Sequence, residues 1–188
     1  MTLGCPKNAV DSDKIAAALG ADGLAPTDDV SRADVVVVNT CAFVEDARRE
    51  SVDTILALAD LKPDGARLVV TGCMAERYGE ELAVALPEAA AVVGFDGAGS
   101  IGRHAEGHRV EGHRVDGLVT FSGRRVPGAP TGVRDLLELP RPAPTAPWAY
   151  LKVAEGCDRA CAFCAIPSFR GKQRSRTPEA IVDEARSL

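Results

Sequence analysis

The chain predicts an α/β fold: an open parallel-sheet domain first, then the start of a second α/β unit. Three observations point there. Val35-Val36-Val37-Val38-Asn39-Thr40-Cys41, Leu68-Val69-Val70-Thr71-Gly72-Cys73 and Ala90-Ala91-Val92-Val93-Gly94 are short, nearly continuous apolar runs. Such runs mark strands buried on both faces of a parallel sheet. The stretches between them carry apolar residues at helical spacing, and Gly or Pro closes each one. Strand alternating with helix implies a right-handed βαβ series in one open sheet.

The elements follow in order. Met1-Thr2-Leu3-Gly4 is a very short apolar start that leads to Cys5. The spacing predicts a helix from Asn8 to Leu19, with Asn8, Asp11 or Ser12 as its N-cap. A second helix is expected from Phe43 to Leu61, ended by Pro63-Asp64-Gly65. A third runs from Met74 to Leu86, closed by Pro87. From Asp96 to Val126 the pattern weakens, and Glu106-Gly107-His108-Arg109-Val110 is nearly duplicated by Glu111-Gly112-His113-Arg114-Val115. All three histidines, His104, His108 and His113, fall there. A metal site is one reading; a Gly-broken polar loop is the favoured one. Leu118 to Phe121 reads as a short strand. Pro140-Arg141-Pro142-Ala143-Pro144-Thr145-Ala146-Pro147 is a stiff, extended linker. The division expected is a first domain over 1–125, a linker over 126–147 and a second unit over 148–188. That unit opens with the apolar run Trp148 to Val153 and ends on a Pro-led helix, Pro178 to Leu188.

Composition bounds the function. A length of 188 residues suits one domain and part of another. A net charge of −5 argues against wholesale wrapping of nucleic acid, though not against a local basic patch. No signal peptide opens the chain and no run of about 18 apolar residues could span a membrane. The six cysteines are therefore expected to stay reduced in a cytoplasm, where metals or clusters are commoner than disulfides.

The chemistry concentrates in Gly156-Cys157-Asp158-Arg159-Ala160-Cys161-Ala162-Phe163-Cys164, a C-x₃-C-x₂-C loop. A structural zinc site wants four ligands, usually in paired half-sites. Here no fourth Cys or His is near. Three thiolates on one loop suit a four-iron, four-sulfur cubane with one iron left open for a ligand. The other cysteines show a regularity. Cys41 and Cys73 each end a strand just before a helix, and Cys5 follows the apolar start. Ligands of open α/β sheets bind beyond the carboxyl ends of the strands. Each cysteine alone reads as a core residue; three at equivalent positions favour one shared site. The basic run Arg170, Lys172, Arg174 and Arg176 is either a solvated loop or a source of positive charge beside anionic ligands or RNA. Asn39 and Thr40 either hydrogen-bond a neighbouring cluster or cap the next helix.

The C-x₃-C-x₂-C loop resembles that of the radical S-adenosylmethionine (SAM) enzymes, including the aromatic Phe163 before the last cysteine. Leu3-Gly4-Cys5-Pro6-Lys7-Asn8 with Val10-Asp11-Ser12-Asp13 resembles the opening of the methylthiotransferases within that group. Asn39-Thr40-Cys41, Thr71-Gly72-Cys73, Arg77-Tyr78-Gly79 and Ala154-Glu155-Gly156-Cys157-Asp158-Arg159 match the later motifs. So does the tail from Ile166-Pro167 through Arg170-Gly171 to Arg174-Ser175-Arg176. Cys5-Pro6-Lys7 and the Glu-Gly-Cys-Asp-Arg wording favour the ribosomal-protein, RimO-like branch over the tRNA-modifying, MiaB-like one.

The resemblance implies two 4Fe-4S clusters, one on Cys157, Cys161 and Cys164 and one on Cys5, Cys41 and Cys73. It implies that SAM chelates the first cluster's open iron near Phe163, a cofactor-binding residue. It further implies a 5′-deoxyadenosyl radical, and methylthiolation of the β-carbon of an aspartate on small ribosomal subunit protein twelve. An electron donor such as flavodoxin or ferredoxin, and contact with ribosomal RNA, come with it. The expected architecture is thus a methylthiotransferase domain followed by the opening of a radical SAM α/β barrel, the chain stopping before that barrel and a C-terminal RNA-binding barrel are complete. A tRNA adenosine methylthiotransferase and a non-catalytic iron–sulfur or zinc module are the competing expectations.

Overall fold

The computed structural model describes residues 1–98, 101–102, 113–115, 118–121, 135–144 and 146–188. Its first element is α1, Pro6–Ala21. A 3₁₀ turn at Val30–Arg32 leads to β1, Val35–Thr40. Then come α2, Glu45–Leu61, β2, Arg67–Gly72, α3, Cys73–Ala85, β3, Ala91–Val93, and the short α4, Phe95–Ala98. β4, His113–Val115, and β5, Leu118–Phe121, complete a five-stranded sheet of order β1-β2-β3-β5-β4. β1, β2, β3 and β5 run parallel, and β4 pairs antiparallel with β5. The open α/β sheet expected from the apolar runs is therefore present.

The chain's first residues extend this sheet. Thr2 bridges Asn39 in parallel, with Leu3 N–H donating to Asn39 O at 3.0 Å and Asn39 N–H donating to Met1 O at 3.0 Å. The short apolar start is thus a strand-like edge beside β1.

Helices cover both faces. Val36, Val38, Leu68 and Val70 pack with Ile55 of α2 and Met74, Ala75 and Leu82 of α3. Val69, Ala91 and Val93 pack on the other face with Ile15 and Ala18 of α1, and with Leu136 and Leu139. Each fully buried aliphatic side chain contributes roughly 1.5–3 kcal/mol, which explains why the buried positions Val36, Val38, Leu68, Val69 and Val70 are all aliphatic.

Three expectations need correction. α1 starts at Pro6, not Asn8, and Cys5 is its N-cap. Pro suits the first turn because its missing N–H would have no intrahelical partner there. Asn8, Asp11 and Ser12 therefore lie inside the helix and cap nothing. The stretch read as a polar loop forms strand β4 at His113–Val115, because β5 offers it a free edge. His104 and His108 lie outside the described residues. The basic run is not simply a solvated loop: Arg170 and Arg176 are buried, while Lys172 and Arg174 are exposed.

From residue 148 onward the elements are short. β6, Ala154–Glu155, pairs antiparallel with β7, Arg174–Ser175. Between them α5, Ile166–Arg170, sets Phe169 into the core shared with α3. α6, Pro178–Ser187, is capped by the Thr177 hydroxyl, which accepts from Ala180 N–H at 3.2 Å. Among the described residues no helix is long and apolar enough to cross a membrane.

Candidate functional site

Three cysteines sit at the carboxyl edge of the sheet. Register pairs Thr40 of β1 with Gly72 of β2, so Cys41 and Cys73 are the next residues on adjacent parallel strands. The edge strand pairs Thr2 with Asn39, which carries Gly4 and Cys5 to the same end. Two glycines permit the approach. Gly4 has φ +95°, and a Cβ there would lie 2.7 Å from Cys41 Cβ and 2.9 Å from its Sγ. Gly72, also at φ +95°, presses against the Asn39 side chain and, at 2.6 Å from any Cβ, the Thr40 carbonyl oxygen. Only glycine adopts that backbone without strain.

Cys5 is the N-cap of α1, and Cys73 is the first residue of α3. Helix N-termini favour anionic sulfur. Cys5 is exposed, whereas Cys41 and Cys73 are buried. Burial pushes the Cys73 thiol up to about 11; the Arg170 charge and hydrogen bond pull against it, and negative charge at Cys41 and Cys5 pushes further up. The three cysteines end neighbouring segments at one edge of the sheet.

Asn8 ties this corner together. Its Nδ2 donates to Leu3 O at 2.8 Å and to Thr40 O at 2.9 Å, joining the segments before Cys5 and Cys41. Its Oδ1 accepts from Arg170 Nη2 at 2.6 Å and faces Cys73 Sγ at 3.5 Å. Asn39 and Thr40 do not cap α2, whose N-cap is Val44 with no side-chain bond. Asn39 Nδ2 donates to Asn8 O and Ser12 Oγ, and Thr40 Oγ1 donates to Thr71 O at 2.6 Å. Asn39 Oδ1 and Thr71 Oγ1 are buried without a hydrogen-bond partner among the described residues.

The second group of cysteines is built locally. Cys157 N–H donates to Gly171 O at 3.0 Å, Arg159 N–H points at Cys157 Sγ at 3.4 Å, and Cys164 N–H donates to Cys161 O at 3.2 Å. Asp158 Oδ1 accepts from Gln173 N–H at 3.0 Å. Cys161 is exposed, Cys157 and Cys164 are half-buried, and Phe163 is 91 % exposed.

Between the two groups lies a buried charge network that the sequence reading missed. Arg170 Nη1 contacts Asp11 Oδ2 at 2.7 Å and Glu155 Oε2 at 2.8 Å. Its Nη2 bonds Asn8 and reaches Cys73 Sγ at 3.1 Å. Lys152 bonds Asp11 Oδ1 at 2.5 Å and pairs with Glu155; Lys7, two residues past Cys5, reaches Glu155 at 3.4 Å. Burial alone would raise the Glu155 pKa, but the charges of Arg170 and Lys152 outweigh it and hold the carboxyl at about 2. Glu155 stands two residues before Cys157, so the network that contacts Cys73 ends at the base of the Cys157 loop. A signal for it exists in the sequence: Asn8, Asp11 and Lys14 recur at helical spacing and form one buried polar stripe along α1. Lys14 donates to Leu137 O at 2.6 Å, docking the segment before the Pro-rich stretch.

The donor chemistry suits iron–sulfur ligation: three thiols at one sheet edge, two of them, Cys5 and Cys73, at helix N-termini, with the Arg170 guanidinium beside Cys73. Among the described residues no three His, Cys, Asp or Glu side chains stand at the spacing of a single ion's ligands. A zinc ion, with Zn–S of about 2.3 Å, needs that closeness. In a cubane each thiolate takes a different iron, so the sulfurs stand farther apart.

Residues 1–94 match the model of a family described as uncharacterized protein family UPF0004. The chain belongs to this family. Curated relatives match the whole of it. A protein of Desulfosudis oleivorans named ribosomal protein uS12 methylthiotransferase RimO is 47 % identical over 189 residues, covering 100 % of this chain and 41 % of the relative. Proteins of the same name from Kineococcus radiotolerans and Cutibacterium acnes are 44 % and 45 % identical, over 43 % and 45 % of their lengths. The chain thus spans less than half the length of these relatives.

Proposed function

We propose that this chain is the N-terminal part of a radical SAM methylthiotransferase that modifies an aspartate of ribosomal protein uS12 at its β-carbon. The observation that carries the reading is the convergence of Cys5, Cys41 and Cys73 at one sheet edge, joined through Arg170 and Glu155 to the Cys157–Cys164 loop. The relatives' shared name supplies the substrate class.

In this reading Cys5, Cys41 and Cys73 hold one 4Fe-4S cluster, and Cys157, Cys161 and Cys164 hold another at which SAM binds, with Phe163 beside it. When bound, these groups supply one-electron chemistry, a sulfur atom and a methyl donor, which side chains cannot provide. The chain's own residues hold and orient. Gly4 and Gly72 let the strands deliver their cysteines, Asn8 locks the three segments together, and the helix N-termini offset negative charge on Cys5 and Cys73. The network from Asp11 to Glu155 fixes the loop against the sheet, which sets the distance between the two sites. A cytoplasmic setting, a flavodoxin- or ferredoxin-like electron donor and contact with ribosomal RNA follow from the same reading.

Two measurements test it. Anaerobic reconstitution of the full-length protein should give about eight irons per chain, for two four-iron clusters; Cys41→Ala should halve that number. Mass spectrometry of uS12 from a strain lacking the gene should show the aspartate unmodified. Intact uS12 modification together with a missing tRNA methylthio group would move the assignment to the tRNA branch. Stoichiometric zinc with no SAM-dependent spectral change would make the chain a metal-binding module.

A further inference from the structure

Arg170 occupies a position that loop packing does not explain. It is buried, and its two terminal nitrogens face different ways. Nη1 serves the carboxylates of Asp11 and Glu155. Nη2 serves Asn8 Oδ1 and the sulfur of Cys73, at 2.6 and 3.1 Å. The Phe95 ring lies beneath the guanidinium, 4.4 Å from its centroid, and removes any freedom to swing away. Two carboxylates would neutralise a lysine as well. Only a planar fork can satisfy them and still present a second donor edge to sulfur.

We propose that Arg170 is a positioning residue that raises the reduction potential of the cluster held by Cys5, Cys41 and Cys73, by donating a hydrogen bond to the Cys73 sulfur. The inference rests on the functional reading above, since it needs a cluster at these cysteines. The physics is simple. One-electron reduction adds a negative charge to the cluster and concentrates electron density on its sulfurs. A donor to a ligating sulfur stabilises the reduced state more than the oxidised one, so the potential rises. Burial strengthens the effect, because little water competes. Cys157, Cys161 and Cys164 have no guanidinium contact among the described residues; backbone N–H of Arg159 is what faces Cys157 Sγ. The two sites are therefore tuned unequally by the protein. Arg170 also spans from the loop's own helix to the sheet edge, so the donor reaches Cys73 only when the second unit is docked.

The experiment separates the sites. The full-length protein is prepared in two backgrounds, one with Cys157, Cys161 and Cys164 changed to Ala, the other with Cys5, Cys41 and Cys73 changed to Ala. Each is reconstituted with iron and sulfide, and its midpoint potential is read by dithionite titration followed by electron paramagnetic resonance. Arg170→Lys keeps a charge for Asp11 and Glu155 but loses the edge that faces sulfur. It should move the midpoint to a more negative value in the first background and leave it unchanged in the second. If Arg170→Lys fails to fold, Arg170→Gln with Glu155→Gln replaces it in the first background. That pair removes one buried charge of each sign, keeps Asp11 with Lys152, and should shift the midpoint in the same direction. An unmoved midpoint in the first background, or an equal shift in both, overturns the proposal. If the first background binds no four-iron cluster even with Arg170 intact, the functional reading itself fails, and this inference falls with it.

Discussion

The two cysteine groups of this chain are held by opposite means. Cys157, Cys161 and Cys164 lie within eight consecutive residues, in a half-exposed loop shaped by its own backbone bonds and one turn against Gly171. Cys5, Cys41 and Cys73 come from three segments and meet only because parallel strands end together at one sheet edge. The first group depends little on the rest of the fold. The second is a product of the fold, and every support beneath it is buried: Asn8, Asp11, Lys152 and Arg170. A contiguous site therefore risks little when a distant residue changes, whereas an assembled site inherits the stability of the whole core.

That contrast can be broken by mutation. The largest effect is expected at Asp11. Asp11→Ala leaves Lys152 and Arg170 short of a buried counter-charge, and breaking such a pair costs about 3–5 kcal/mol. Urea denaturation of Asp11→Ala should show that loss, while Asp158→Ala, in the exposed loop, should stay within about 1 kcal/mol of the parent. Equal costs would erase the distinction between the two groups.

Next comes a matched pair of glycines. Gly72→Ala and Gly171→Ala both place an L-residue in the left-handed region, at φ +95° and +72°. Strain of this kind costs on the order of 1–3 kcal/mol. Gly171 has open space around it, whereas Gly72 meets the Asn39 side chain and the Thr40 backbone. Thermal melts should therefore place Gly72→Ala well below Gly171→Ala, and iron content should fall in the first alone. Similar melting temperatures would show that the sheet edge yields more easily than its packing suggests.

Acid should act on the buried network in a definite window. Arg170 and Lys152 hold Glu155 ionised down to about pH 2, below the ordinary carboxylate range. A depressed carboxyl contributes stability that is complete above its unfolded pKa, near 4.5, and is lost as pH falls through the folded value. Glu155→Gln should flatten the stability–pH curve between about pH 4.5 and 2. An unchanged curve would assign acid sensitivity to other carboxyls. The smallest effect belongs to the exposed pair of Asp135 and Arg174, at 2.5 Å. Arg174→Met should cost under about 1 kcal/mol, less still in high salt.

Much of this could be read without coordinates. Val35 to Cys41 and Leu68 to Cys73 announced themselves as buried strands because a parallel sheet hides both faces and admits only apolar side chains. The helix following each run, and the placing of Cys41 and Cys73 at strand ends, came from the same pattern. The residue pattern starts α1 at Asn8 because Asn8 and Asp11 are good capping residues by type, yet the helix begins at Pro6. The basic run leaves a solvated loop and a contact with anionic ligands both open, because nothing local marks Arg170 as buried: its partner Asp11 lies 159 residues away, whereas Arg176 pairs with Glu184 on the next helix.

The strand–helix alternation, the loop spacing of Cys157, Cys161 and Cys164, and the residue types able to bind metal are short-range properties, legible in the order of residues. That the edge pairing of Thr2 with Asn39 carries Cys5 beside Cys41, that the polar stripe of α1 faces inward, and that Arg170 touches Cys73 become visible only in the folded molecule. Those outcomes depend on which surfaces meet after folding, and burial turns a charge from a solvated ornament into a group that must find a partner.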